Sequence, residues 1–78
     1  MRNNIKDFYG AVIGYVDVSA NGDAVAHDRY GKILGSYKKS SNVSFDFYGR
    51  ALGYGDMTSA LVYEAERKRK ESISGKKD

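Results

Sequence analysis

Asp7-Phe8-Tyr9-Gly10, Asp28-Arg29-Tyr30-Gly31 and Asp46-Phe47-Tyr48-Gly49 are one phrase written three times. Each copy is followed by one variable position, two apolar residues and a second glycine: Val12-Ile13-Gly14, Ile33-Leu34-Gly35 and Ala51-Leu52-Gly53. Spacing this strict marks a single supersecondary unit repeated in tandem. An aspartate at the first position can accept hydrogen bonds from backbone N–H groups further along a type I turn. A glycine at the fourth can take the left-handed conformation that closes the turn into a hairpin. Asp7 with Gly10, Asp28 with Gly31 and Asp46 with Gly49 are therefore expected to be structural turn residues at three hairpin tips.

Working outward, the incoming strands are expected over 4–7, 23–28 and 43–46, and the outgoing strands over 11–17, 32–37 and 50–54. Between the hairpins, Ser19-Ala20-Asn21-Gly22 carries the Asn-Gly pair that favours a tight return, and Lys39-Ser40-Ser41-Asn42 is a polar loop of the same kind without the glycine. Gly14, Gly35 and Gly53 fall inside strands, where glycine weakens the ladder. Their regular placement predicts a bulge or a close backbone approach, read here as convergence of the repeats on a pseudo-axis. Connections this short leave no room for crossover helices.

After Gly55 the period changes. Asp56 is a candidate N-cap, and Met57, Leu61 and Ala65 recur at helical spacing. Glu64 with Lys68 and Glu66 with Lys70 supply i, i+4 pairs in the favourable order. The apolar stripe covers only the first two turns, so the second half of this helix is expected to project into solvent. The fold class is all-β (mainly β): tandem antiparallel β-hairpins, meander or flower-like, with one C-terminal α-helix. Its expected divisions are a repeat domain over 1–55, the helix over 56–72 and a frayed tail over 73–78.

The unit Asp-x-Tyr-Gly-x-Φ-Φ-Gly (Φ apolar) resembles the β-flower repeats over about residues 4–55. These are small bacterial proteins described as four-fold or five-fold flowers of β-hairpins, without an established activity. The resemblance implies a flower-like arrangement, while the three tips counted here leave a fourth petal to another subunit, to the helix or to none. It carries over no catalytic residue.

The chain has 78 residues, 13 basic against 10 acidic side chains, a net charge of +3, and neither cysteine nor proline. A single apolar core is marginal at this length, and no disulfide or thiolate metal site can supplement it. Repeat stacking and oligomerisation are the remaining sources of stability. The absence of cysteine fits a reducing cytoplasm, and neither a secretory leader nor a membrane span is expected from the polar start and short apolar runs.

No side chains assemble into a reaction centre. His27 is the single histidine and lacks the partner a relay needs, so it is expected to be a surface strand residue. Asp7, Asp28 and Asp46 already have a turn-capping role, and neither a metal site nor a cofactor is expected. The chain reads as a non-enzyme. Tyr9, Tyr30 and Tyr48 either pack over their own hairpins or a neighbouring repeat or, with Met57 and Leu61, form an interface for self-association, most simply a symmetric dimer. The basic block Arg67-Lys68-Arg69-Lys70 is either a solvated helix end or a candidate anion contact. With the tip aromatics it would give a weak, sequence-nonspecific nucleic-acid binder. A membrane-surface helix has less support, because the block shares its helix with no broad apolar face.

Overall fold

The computed structural model describes residues 1–74 of the chain. Six strands, β1 (Arg2–Lys6), β2 (Val12–Val18), β3 (Ala24–Asp28), β4 (Ile33–Lys38), β5 (Val43–Asp46) and β6 (Ala51–Tyr54), precede one helix, α1 (Thr58–Ser74). The strands form a single antiparallel sheet in chain order, β1 to β6. The sheet is mainly β and open, so the hairpins lie side by side instead of around an axis. Helix α1 runs past the expected end at residue 72, and the rest of the expected tail, 75–78, lies outside the described residues.

The three tips are built alike. In the first, Asp7 Oδ1 accepts from the N–H groups of Tyr9 and Ala11, both at 2.9 Å, while the Gly10 N–H donates to the Asp7 carbonyl at 3.0 Å. Asp28 repeats this with Tyr30, Lys32 and Gly31, and Asp46 with Tyr48, Arg50 and Gly49. In the outer loop without a glycine, Asn42 itself adopts φ 55°, a conformation that asparagine tolerates better than most residues.

Each tip hairpin carries a bulge at its Φ-Φ-Gly segment. The register slips between Ile5 and Lys6, between Ala26 and His27, and between Ser44 and Phe45, leaving Ile13, Leu34 and Leu52 as the extra residues. The slip explains why Ile13 and Gly14, although consecutive, are both buried.

Helix α1 lies across β2, β3 and β4 on one face of the sheet. That face is made of small residues at the crossing: Gly14, Ala24, Ala26 and Gly35. A Cβ on Gly14 would strike the His27 carbonyl oxygen and lie 2.6 Å from Val62 Cγ1. One on Gly35 would strike the Phe45 carbonyl oxygen and lie 2.7 Å from Leu61 Cδ1. Gly14 and Gly35 therefore admit the helix, whereas a Cβ on Gly53 would meet only Met57 Sδ at 3.8 Å, and convergence on a pseudo-axis is replaced by this crossing. The core beneath is Ile13, Val16, Ala24, Ala26 and Val62.

The corner between sheet and helix is held by Ser44, which is fully buried. Its hydroxyl donates to the Gly55 carbonyl at 2.7 Å and accepts from the Met57 N–H at 2.9 Å. Asp56 caps the helix, accepting from the Thr58 N–H at 3.0 Å.

Candidate functional site

Because the sheet is a meander, all three Asp-x-Tyr-Gly tips emerge at the same end. The aromatic rings they carry are open to solvent: Phe8 is 95% exposed, Tyr9 87%, Tyr30 75% and Tyr48 76%. Packing over their own hairpins is thus excluded for these rings. Phe8 with Tyr9 and Phe47 with Tyr48 make edge-on pairs, with centroids 5.5 and 5.3 Å apart. Cations interleave with them, since Lys32 Nζ lies 5.9 Å from the Phe47 centroid and the Arg50 guanidinium 5.4 Å from that of Tyr48.

The second half of α1 returns to this end instead of projecting away from the sheet. Arg29 stands where the other two repeats carry phenylalanine, and its guanidinium donates to Glu66 Oε2 at 2.8 Å. Arg69 donates to the same carboxylate at 2.9 and 3.2 Å. Glu66 is buried, and its pKa is held below the ordinary carboxylate value, first by the Arg69 hydrogen bonds and then by the charge of Arg29, against the cost of burial. The Tyr63 hydroxyl also donates to the Lys6 carbonyl at 3.1 Å, fastening α1 to the first hairpin.

The basic block is accordingly engaged with glutamates. Arg67 donates to Glu64 Oε2 at 2.5 Å, Lys68 lies 3.9 Å from the same oxygen, and Arg69 is bound to Glu66. Arg67 and Lys70 also line a groove of about 440 Å³ with Phe8, Tyr9 and Tyr63 between the first tip and the helix. A smaller groove of about 320 Å³ sets Lys68 near Phe47, Tyr48 and Arg50. The basic block and the tip aromatics, separate in sequence, therefore share one end of the molecule.

Met57 and Leu61 are placed differently from the expected interface. Leu61 packs against Gly35 within the chain, and Met57 is half-buried where the helix leaves the sheet. The line that α1 turns to the sheet is Thr58, Leu61, Val62, Ala65 and Glu66, offset from the stripe read in the sequence.

The opposite face of the sheet has no helix on it among the described residues. It carries Val12, 45% exposed, Ile33, 48% exposed, and Tyr54, 84% exposed, with Val25, Val43 and Phe45 half-buried among them. Val25, Ile33, Phe45 and Phe47 line a shallow depression of about 420 Å³. At its β1–β2 side, Arg2 makes a two-pronged bond to Asp17 at 2.8 and 3.3 Å, which depresses the Asp17 pKa. His27 sits on this face as well, and its side chain is 13% exposed, so it is less open than a surface strand residue. Its ring stacks on Tyr15 at 4.5 Å, and Nδ1 is 3.9 Å from Asp17 with no hydrogen-bond partner among the described residues.

Among the described residues, no group of three or more histidine, cysteine, aspartate or glutamate side chains is placed to hold a metal ion. No described helix is long and apolar enough to cross a membrane. In comparisons with known proteins, no family model, curated protein or solved structure matches the chain.

Proposed function

We propose that this chain is a non-enzymatic β-repeat interaction module, related to the β-flower repeats, that assembles with itself in the cytoplasm. The observation that carries the reading is the helix-free face, where Val12, Ile33 and Tyr54 stand out among half-buried apolar neighbours. Two such faces packed together would form a two-chain sandwich with sheets about 10 Å apart and each helix outermost. A symmetric dimer satisfies this with one self-complementary patch. Nucleic-acid binding through the basic block is the weaker reading, because Arg67 and Arg69 are hydrogen-bonded to Glu64 and Glu66.

Sedimentation velocity over a range of micromolar concentrations tests the proposal. The expected result is a monomer–dimer equilibrium that Ile33→Glu shifts to monomer, with the circular dichroism spectrum unchanged. A wild-type chain that stays monomeric into the hundreds of micromolar, where an affinity of even about 6 kcal/mol would register, overturns it.

A further inference from the structure

We propose that the hairpin-tip end is a docking surface for an anionic lipid bilayer, adjoining the face assigned to self-association at Phe47. The phenylalanine at the first tip is almost wholly exposed, and an aromatic ring with no polar atom gains nothing from water there. Tyr9, Tyr30 and Tyr48 stand at the same end, each an apolar ring with a polar hydroxyl, the combination that favours the headgroup boundary of a membrane. Lys32 lies against the Phe47 ring, where it would meet lipid phosphates as the rings enter. Arg50, which lies against Tyr48 and is ion-paired to Asp46 at 3.2 Å, would meet them by exchanging that exposed partner.

The geometry favours a bilayer over a nucleic-acid strand. Adjacent tips are two strands apart, or about 10 Å, and their ring pairs are edge-on at 84° and 80° instead of presenting a continuous stacking platform. A planar surface can receive all three tips at once. Each tip is pre-ordered by its aspartate, which accepts two backbone hydrogen bonds, so little conformational freedom is lost on insertion. The apolar component missing from the basic helix is thus supplied by the hairpins beside it.

Co-sedimentation of the full chain with phosphatidylcholine vesicles, with and without phosphatidylglycerol, provides the test. Binding is expected only to the anionic vesicles and should weaken as salt is raised. Phe8→Ser with Phe47→Ser should lower the partition coefficient by roughly tenfold or more, with an unchanged circular dichroism spectrum. Because Phe47 also borders the depression on the open face, the unchanged oligomeric state is read on Phe8→Ser alone. Phe8→Ser alone, at a site with almost no protein contact, should give a smaller loss and serves if the double variant does not fold. Absence of binding to anionic vesicles at low salt overturns the proposal. So does binding that is indifferent to both phenylalanines, or binding to a single-stranded oligonucleotide with none to vesicles.

Discussion

The two faces of the sheet are built from the same six strands and have opposite characters. The face under α1 is small and closely fitted, with glycine and alanine at the crossing and Val62 fully buried against it. The other face bears larger side chains, Ile33, Phe45 and Tyr54 among them, with nothing among the described residues to cover them. Where helix side chains pack directly over glycine backbone, with no space left for a Cβ, shape decides what is tolerated. On the open face there is room for almost any side chain, and the cost or gain of a change depends on what the face meets.

The sharpest way to break that contrast is Gly35→Ala. Its new methyl has no place between the Phe45 carbonyl and Leu61, and we expect a loss of about 3 kcal/mol or displacement of the helix, measured by urea unfolding. A loss below about 0.5 kcal/mol would show that the helix does not sit on Gly35 in solution.

A smaller effect is expected from Glu66→Gln, which leaves the shape and removes the charge that Arg29 and Arg69 surround. Loss of charge-assisted hydrogen bonds here should cost about 1–3 kcal/mol at neutral pH. Because the folded pKa of Glu66 is depressed, its contribution is fully present above the ordinary carboxylate range and is lost as pH falls through the depressed folded value. Unfolding curves of the wild type should therefore weaken more steeply on acidification than those of the variant. Parallel curves would remove Glu66 from the acid response.

The smallest intrinsic effect belongs to the open face. Ile33→Ser should change monomer stability by no more than about 0.5 kcal/mol, yet it should abolish any rise of melting temperature with protein concentration. A wild-type melting temperature independent of concentration would count against assembly through this face.

The hairpins were legible in the sequence because their signals are local. Aspartate and glycine lie within four residues of each other, and the hydrogen bonds that make a tip reach no further than the residue after the glycine. Even Asn42, standing where a glycine is expected, belongs to a residue type that tolerates the required conformation. The strand glycines pointed to the bulges and close backbone approach that the sheet shows, but the helix that also packs on Gly14 and Gly35 lies further along the chain, where no local pattern identifies it. Glu66 was hidden for a related reason: a carboxylate in a charged run reads as solvated, and only its partner shows otherwise. The one available signal was Arg29, the place where the second repeat abandons its aromatic residue. Ser44 was equally silent, since a serine in a strand does not reveal that its hydroxyl holds the start of a helix.

The tip aromatics and the basic block each stand out in the sequence, but the exposure of the rings and their adjacency to the block follow from the fold and from the direction in which α1 crosses the sheet. That direction is set by the Arg29–Glu66 bond and by Tyr63 reaching the Lys6 carbonyl, both between residues far apart in the chain.

The Arg29–Glu66 bond joins residues 37 positions apart, and this has a consequence for the order in which the molecule forms. Each hairpin can zip within a few residues of its own turn, as soon as it leaves the ribosome, with little loop-closure cost. The glycine-lined crossing remains bare until the helix has been synthesised, because its cover is encoded after every strand. A growing chain with all six strands but no α1 carries uncovered apolar surface on both faces, and this is its interval of greatest vulnerability to association with its neighbours.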